Sequence, residues 1–443
     1  MATDRRNAPS SSGHAKPKDR LLRLTITDIA NGGEGLAHAD VDGTRTAILV
    51  ARTVPGDIID AAVRRSGGAL RGELVAILQA APDRVTPPCA WSQECGGCDL
   101  MHLAVPSQRK ARTRIVDQAL ERAAGWNAPI TEHTAPSTEG CRARVRLAVK
   151  TDGRGVSVGY RAPRSHDIVE VGNCLLLVPG LNDVRGEVRT WLLGSRGQGD
   201  LTVQQGPGGK PSALLTWEGQ IASHAYAHAE ARVASGTWSG VQIALDGSKV
   251  PAVIGDPRSM TTGLDGAPVY APPGGFMQAS DAMNVALAKR VVELAACDGR
   301  STLELFSGSG NFTVGLARAT NALAAVESDA AAVEAARGNL AARGLKAKLH
   351  CGDADQHEIH PDVRVVVIDP PRTGAPGAAP RIAASKARQV VIVSCDPATL
   401  ARDVVTLVRQ GFSMASVDVF EMFPHTSHVE TVAVLVRSRA RKG

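Results

Sequence analysis

The last third of the chain alternates short apolar runs with stretches of helical spacing. Apolar runs occur in TLELF, LAAVES, RVVVID and QVVIVSC, and the intervening DAAAVEAARGNLAAR has the spacing of a helix that ends at Gly344. Continuous apolar runs are typical of strands that are buried on both faces, as in parallel sheets. The alternation predicts an open α/β domain with a mainly parallel sheet.

Polar residues follow several of these runs at the point where each strand should end. Glu327 ends the run in LAAVESD, Asp353 follows KLHC, and Asp369 follows RVVVI. Ligands of open α/β sheets bind at the carboxyl ends of the strands. We therefore expect these carboxylates to line one binding site.

A glycine-bearing turn in STLELFSGSGNFTVGLA discriminates between cofactors. Gly308 and Gly310 lie between a strand and a helix, but Thr313 stands where the dinucleotide fingerprint requires a third glycine, so NAD is disfavoured. No Lys-Ser/Thr pair closes a phosphate-binding loop here. Glu327, 19 residues after Gly308, can accept hydrogen bonds from ribose hydroxyls. The pattern favours a class I S-adenosylmethionine methyltransferase.

Length, composition and charge narrow the setting. The length of 443 residues indicates about three domains, and the hydrophobic content of 43% is enough for each to have an apolar core. No apolar run approaches the roughly 18 residues of a membrane span, and the amino terminus lacks the apolar centre of a signal peptide, so we expect a cytoplasmic protein without membrane contact. The net charge of +6 mildly favours an anionic partner such as RNA.

A basic strand is predicted in CRARVRLAVK. Period-two alternation places Arg142, Arg144 and Arg146 on one face and apolar residues on the other. The arginines could contact RNA or could simply form a solvated face, and the sequence favours neither interpretation.

The cysteines carry information in their spacing. Cys89, Cys95 and Cys98 lie close together in PPCAWSQECGGCDL, and two glycines between the last pair let the backbone fold tightly. Cys174 in VGNCLLL is the natural fourth ligand. Four thiolates suit either a [4Fe–4S] cluster or a tetrahedral zinc, and spacing alone cannot choose the metal. The fourth cysteine argues against a radical enzyme that cleaves S-adenosylmethionine with three cysteine ligands.

A further cysteine, Cys395, ends the run VVIVSC and should face the same pocket as the cofactor. Carbon 5 of uracil is a poor nucleophile, but addition of a thiolate to carbon 6 makes carbon 5 electron-rich. A base must then remove the carbon 5 proton, and Glu430, at the start of an apolar strand in HTSHVETVAVLV, can supply it. Methylation of an exocyclic amino group is the weaker interpretation, because Arg372 follows DPP where such enzymes carry an aromatic residue.

The motifs FSGSGNF, DPPR, SCDPATLARD and HTSHVE together resemble the 5-methyluridine RNA methyltransferase family, which includes iron–sulfur rRNA enzymes. The resemblance extends to CAWSQECGGC with Cys174, and implies a [4Fe–4S] cluster rather than zinc. It also implies Cys395 as nucleophile and Glu430 as base. The implied contacts to S-adenosylmethionine are Gln278, Phe306, Gly308, Gly310, Asn311, Glu327, Asp353 and Asp369.

The resemblance also predicts the domain organisation of the chain. The stretch that begins LLRLTITDIANGGEG is similar to a TRAM domain, an OB-like β-barrel that binds RNA. We therefore expect a disordered tail over residues 1–19, the barrel over 20–80, a β-rich central domain with the cluster over 81–270, and a Rossmann-like class I methyltransferase domain over 271–443. By analogy, a barrel with a cluster favours 23S rRNA over tRNA, and we expect a monomer. The alternatives are a tRNA enzyme and a noncatalytic RNA-binding protein on the same fold.

Overall fold

The computed structural model describes residues 20–66, 68–297 and 299–437, so the predicted tail over residues 1–19 lies outside the described residues. Contacts divide the chain into two compact units, Met1–Arg84 and Val85–Gly443. Within the ranges that the structure describes, no helix is both long and apolar enough to cross a membrane.

The first unit contains one six-stranded sheet. Its strands are β1 (Arg20–Thr25), β2 (Asp28–Ile29), β3 (Gly35–Val41), β4 (Thr44–Val50), β5 (Ile58–Ser66) and β6 (Ala69–Gln79). They are arranged in the order β1-β5-β6-β4-β3-β2, with β4 parallel to β6 and the other pairs antiparallel. Alternate residues of β5, namely Ile59, Ala61 and Val63, are buried in an apolar core. This period-two burial gives the sheet one apolar face.

The second unit contains all the helices of the described chain and the remaining strands. The helices are α1 (Val105–Ala124), α2 (Pro179–Trp191), α3 (Ser223–Ala234), α4 (Asp281–Ala295), α5 (Thr313–Ala319), α6 (Ala330–Ala341), α7 (Ala378–Ala384) and α8 (Pro397–Val408), with a short 3₁₀ helix at Pro207–Gly209. The strands are β7 (Thr131–His133), β8 (Arg144–Asp152), β9 (Val156–Arg161), β10 (Ile168–Val169), β11 (Arg196–Gln205), β12 (Pro211–Gln220), β13 (Gly240–Leu245), β14 (Ala252–Gly255), β15 (Ser259–Thr262), β16 (Pro268–Ala271), β17 (Ser301–Leu305), β18 (Ala322–Glu327), β19 (Lys348–Cys351), β20 (Val365–Ile368), β21 (Gln389–Ser394), β22 (Phe412–Phe420) and β23 (Glu430–Arg437).

A seven-stranded sheet forms the first half of this unit, in the order β10-β9-β8-β11-β12-β13-β14. Helices α2 and α3 pack on it, and the core between them includes Trp191, Trp217 and Trp238. The rings of Trp191 and Trp238 meet edge to face with centroids 5.2 Å apart, an arrangement that stabilises aromatic pairs beyond their area burial.

An eight-stranded sheet forms the second half, in the order β19-β18-β17-β20-β21-β23-β22-β7. Strands β17 to β21 are mutually parallel, whereas β23 is antiparallel to both β21 and β22. Strands β20 and β21 are buried along their whole length, as their continuous apolar sequences predict. Separate apolar cores on the two sides involve α1, α7 and α8 on one face and α4 and α5 on the other.

Two elements that precede the seven-stranded sheet in the sequence, α1 and β7, pack with the eight-stranded sheet and its helices. Helix α1 packs against α8, and β7 pairs in parallel with β22 at its edge. The His133 ring of β7 stacks on Phe420 at 4.2 Å and its Nε2 lies 2.7 Å from the Asp418 carboxylate. The sequence-based boundaries place α1 and β7 in the central region, 81–270. Their packing joins this region to the C-terminal region within the unit Val85–Gly443.

One glycine of the seven-stranded sheet and one glycine of a helix packed on it should respond in opposite directions to replacement by alanine. A Cβ at Gly159 in β9 would collide with the carbonyl oxygen of Val169 in β10, whereas a Cβ at Gly186 in α2 would meet nothing within 4 Å. We expect Gly159→Ala to lower the free energy of unfolding by about 1–3 kcal/mol. Gly186→Ala should raise it by about 0.5–1 kcal/mol, because alanine loses less backbone entropy in a helix. Urea unfolding followed by tryptophan fluorescence measures both changes, and equal shifts of the same sign would contradict this packing.

Candidate active site and four-cysteine pocket

The carboxyl ends of the parallel strands bring the predicted cofactor residues to one edge. The turn after β17 contains three residues with positive φ, Phe306 at 60°, Gly308 at 54° and Gly310 at 89°. The Gly308 N–H donates to Glu327 Oε2 at 2.9 Å, which ties this turn to the end of β18. The second oxygen of Glu327 accepts the N–H of Asp329 at 2.8 Å. These hydrogen bonds hold the glycine turn and Glu327 next to each other at the carboxyl ends of β17 and β18.

The other predicted cofactor residues lie in the surrounding loops. Asp353 follows β19 at the same edge and accepts the N–H of Asp355 at 2.9 Å. Gln278 is buried in the loop that precedes α4. The Asn311 amide exchanges hydrogen bonds of 2.7 and 3.1 Å with Asn284. This pairing fixes the loop after the glycine turn, so the contact predicted for Asn311 depends on a side chain that also holds the scaffold together.

Strand direction explains how Glu430 reaches Cys395. Cys395 follows the carboxyl end of β21, and Ser394 is the register partner of Thr431. Because β23 is antiparallel to β21, its first residue, Glu430, lies at the edge where β21 ends. Glu430 is 3% exposed. The structure thus brings together the thiol and the carboxylate that the sequence analysis predicts to act together.

The loop after the thiol is also fixed. The Asp396 carboxylate caps α8 by accepting the N–H groups of Ala398 and Thr399, each at 2.9 Å. Such a cap satisfies backbone donors that have no partner within the helix. Cys395 therefore lies between a buried strand and a capped helix, which limits its freedom of movement.

The electrostatics of this edge are dominated by buried acids. Burial, the Glu430 carboxylate and the Asp369 carboxylate raise the pKa of Cys395 to about 11, whereas the Arg372 guanidinium lowers it. Burial and Asp369 also raise the pKa of Glu430 well above its ordinary value. Burial raises the pKa of Asp369 itself to about 7. Clusters of perturbed titratable groups at a strand edge are typical of functional sites.

Two residues near this edge were not assigned from the sequence. Glu304 lies in the middle of β17, and burial raises its pKa to about 8 beside Asp369 and Glu327. The sequence feature that could have identified Glu304 is an acidic residue inside the otherwise apolar run TLELF.

Phe276 is 72% exposed, two residues before Gln278. Sequence could not show which aromatic side chain reaches solvent, and the structure shows that Phe276 does.

The four predicted cysteine ligands line one pocket. Cys89, Cys95, Cys98 and Cys174 surround it together with Tyr160 and Arg142. The Gly97 N–H donates to Cys95 Sγ at 3.3 Å. The backbone of Cys174 is held by the side chain of Asn182 through bonds of 3.1 and 3.0 Å. Residues that are more than 70 positions apart in the sequence thus converge on one point.

Gly96 allows this convergence, because a Cβ there would lie 2.7 Å from the Arg161 carbonyl oxygen. Burial, together with the neighbouring thiols, raises the pKa of Cys98 to about 12, and Arg142 opposes the rise.

Across the described ranges, no group of three or more His, Cys, Asp or Glu side chains lies close enough together to hold a metal ion. Of the remaining cysteines, Cys297 is buried and Cys351 is exposed outside this pocket.

The fold has a counterpart among solved structures. The tRNA (uracil-54, C5)-methyltransferase of Pyrococcus abyssi, solved in complex with S-adenosyl-L-homocysteine, superposes with a TM-score of 0.72 at 23% sequence identity, covering 94% of this chain and 100% of that one. This likeness confirms the predicted fold class, with a β-rich amino-terminal region and a Rossmann-like methyltransferase core.

Sequence comparison then defines the family. The family model described as tRNA (Uracil-5-)-methyltransferase matches residues 269–349 and 356–438. The chain is 33% identical to the 23S rRNA (uracil(1939)-C(5))-methyltransferase RlmD of Pseudomonas putida, with 94% of each chain covered. It is 30% identical to the RlmD of Halomonas elongata, over 97% of this chain and 92% of the relative. The chain belongs to the uracil-C5 RNA methyltransferase family, which confirms the resemblance and the enzyme class predicted from its motifs.

The charges around Cys395 predict how its reactivity depends on pH. Because the pKa of the thiol is raised to about 11, the thiolate fraction and the alkylation rate should increase about tenfold per pH unit between pH 7 and 10. Glu430→Gln should shift the profile to lower pH by removing a negative charge, and Arg372→Met should shift it to higher pH. Iodoacetamide labelling, with mass spectrometry of the Cys395 peptide, measures each profile. Superimposable profiles for the three proteins would show that these charges do not control the thiol.

Proposed function

We propose that this chain methylates carbon 5 of uridine in 23S rRNA, with S-adenosylmethionine as the methyl donor. The observation that carries the proposal is the meeting of Cys395 and buried Glu430 at the sheet edge that also holds the glycine turn. The rRNA target is supported by relatives that align over nearly their whole length and are named for 23S rRNA. The family model and the Pyrococcus enzyme are named for tRNA, so tRNA is the alternative substrate.

The corner between β17 and β18 suits an adenosine-containing cofactor. Glu327 can accept hydrogen bonds from ribose hydroxyls while Gly308 keeps the turn close to it. When bound, S-adenosylmethionine supplies an electrophilic methyl group. The residues proposed to hold it are Gln278, Phe306, Gly308, Gly310, Asn311, Glu327, Asp353 and Asp369.

The chemistry follows from the thiol and the carboxylate. In the proposed reaction, Cys395 Sγ bonds to carbon 6 of the uracil, and the electron pair of the 5,6 double bond moves toward carbon 5. Carbon 5 then forms its bond to the methyl group while the bond between that methyl group and the sulfur of the donor breaks, so that S-adenosylhomocysteine would be the leaving group. Glu430 removes the remaining proton from carbon 5, the freed electron pair restores the double bond, and the thiolate leaves carbon 6.

The charges of the site support these roles. Arg372 favours the thiolate form of Cys395 and so opposes the two neighbouring carboxylates. The raised pKa of Glu430 makes it a stronger base, once ionised, than an exposed carboxylate. Asp369 contributes to that rise, so Asp369 tunes the base as well as bordering the cofactor site.

We further propose that Cys89, Cys95, Cys98 and Cys174 hold a [4Fe–4S] cluster. Four thiols on one pocket, a peptide N–H directed at a sulfur and the guanidinium of Arg142 fit a negatively charged, cysteine-ligated cluster. The buried Arg142 Nε has no hydrogen-bond partner among the described residues, which leaves a donor beside the sulfurs. A cluster here would serve as a structural element, since methyl transfer moves no electrons. A tetrahedral zinc is the alternative for the same four thiolates.

The proposal also assigns a role to each domain. Residues 20–80 would act as an RNA-binding TRAM barrel, 81–270 as the cluster-bearing region and 271–443 as the methyltransferase, in a monomer.

The arginines that the sequence predicts on one strand face have different surroundings. Arg144 donates to the carbonyl oxygens of Gly274 and Gly275, whereas Arg146 is exposed and pairs with Asp200 at 2.8 Å. Arg142 lines the four-cysteine pocket, so of the three arginines predicted to share a face only Arg146 is well placed to reach RNA.

Tritium release from RNA labelled at uridine carbon 5 tests the proposed chemistry. With S-adenosylmethionine and anaerobically purified protein, wild type should release tritium and Cys395→Ala should not. Glu430→Gln should lower release by about 10²–10⁴-fold, as expected for loss of a general base, and should accumulate a denaturant-resistant protein–RNA adduct. Matched 23S rRNA and tRNA transcripts compare the two substrates.

The alternatives predict other results in the same assay. Methyl incorporation without tritium release would indicate amino methylation, and Cys395→Ala would then stay active. RNA binding without any methyl incorporation by wild type would indicate a noncatalytic RNA-binding protein.

Replacing one proposed ligand tests the metal. We expect Cys98→Ser to lose most of the iron and the brown colour of the cluster, and to unfold at lower urea concentration, because the residues around the pocket lose their common ligand. Iron, sulfide and zinc analysis of both proteins checks this. Cys351→Ser, at an exposed cysteine outside the pocket, is the matched control. A wild-type protein that contains zinc or no metal would refute the iron–sulfur assignment.

A further inference from the structure

The segment that follows Cys98 is hydrogen-bonded to the loop that precedes Glu430. Asp99 Oδ1 accepts the N–H of Ser427 at 2.7 Å, and Asp99 Oδ2 accepts the Ser427 hydroxyl at 2.7 Å. The N–H of the next residue, Leu100, donates to the carbonyl oxygen of His425 at 3.0 Å. Asp99 thus connects the four-cysteine pocket, through its neighbour Cys98, to a residue three positions before Glu430.

Helix α1 holds the same loop from a second direction. Gln108 Oε1 accepts the N–H of His425 at 3.1 Å, and Arg112 Nη1 donates to the carbonyl oxygen of Thr426 at 3.0 Å. His425 has a φ of 63°, a conformation that is costly for a non-glycine residue and that needs such support. His425, Thr426 and Ser427 are all buried. Their backbone groups are therefore held one after another by the segment that carries Cys98 and by α1.

This fixation matters because the loop has no secondary structure of its own. It joins β22, which ends at Phe420, to β23, which begins at Glu430. A general base must come within about 2.6–3.2 Å of the proton that it removes. A misplacement of about 1 Å can lower a rate by about 10²-fold. The position of Glu430 thus depends on the contacts of the preceding loop as well as on the pairing of β23 with β21 and β22.

We propose that Asp99 is a positioning residue for the base, and that through it the four-cysteine pocket controls the proton-removal step specifically. This inference rests on the proposed role of Glu430. The Asp99 carboxylate presents one oxygen to each of the two Ser427 donors. Loss of these bonds releases the loop next to Glu430 but leaves Cys395, which is held by β21 and the α8 cap, in place.

Adduct formation and proton removal can be measured separately, and this distinguishes a positioning role of Asp99 from a purely structural one. In a single turnover with wild-type, Asp99→Ala and Asp99→Asn proteins, we would measure the denaturant-resistant protein–RNA adduct and tritium release side by side. Asp99→Ala should form the adduct as fast as wild type, release tritium at least tenfold more slowly, and accumulate adduct that carries the methyl group. Asp99→Asn should restore release, because its amide can accept from the Ser427 N–H and donate to the Ser427 hydroxyl. Glu94→Ala, at an exposed carboxylate of the same segment, is the matched control and should match wild type.

The outcomes are distinguishable from failure of the proposed function. No adduct and no release with wild-type protein would overturn the uridine mechanism itself. Equal slowing of adduct formation and release in Asp99→Ala, or a loss of bound iron that accounts for the slowing, would overturn the positioning role. If Asp99→Ala does not fold, Ser427→Ala, which removes only the hydroxyl bond, should show a smaller delay confined to release, and no delay would also overturn the role.

Discussion

The pairing of β23 with β21 is the constraint on which the candidate active site depends. A purely parallel sheet collects the ends of its strands at one edge, and those ends supply Asp369 and Cys395. An antiparallel strand placed next to β21 adds the beginning of a strand to that edge, and so brings in Glu430. The thiol and the carboxylate are therefore neighbours because of strand direction, although 35 positions separate them in the sequence.

This arrangement concentrates acidic groups in a poorly solvated region. Glu304, Asp369 and Glu430 all have raised pKa values, and each rise is caused first by burial. Such groups cost stability unless partners or ligands compensate them. Arg372 is the cation that acts on Cys395. Burial therefore holds a thiol and three carboxyl groups with raised pKa values close together at this edge of the sheet.

Much of this site could be predicted from sequence, because its signals are local. Continuous apolar runs identified β20 and β21, and the residues after them, Asp369 and Cys395, follow directly. Cysteine spacing grouped Cys89, Cys95 and Cys98, since a short loop keeps its thiols close together whatever the rest of the fold does. These predictions required no knowledge of which distant segments pair.

The features that sequence did not predict depend on packing between segments that are far apart in the chain. Nothing in the local pattern of β7 shows that it pairs with β22, because a three-residue edge strand has no distinctive periodicity. The segment that carries Cys89, Cys95 and Cys98 forms no helix or strand, so side-chain contacts and hydrogen bonds must hold its shape. That requirement gives a physical reason for four thiols in an enzyme whose reaction needs no electron transfer. Through Asp99 and Leu100, the segment that carries Cys98 holds a second irregular segment, the loop that leads into Glu430.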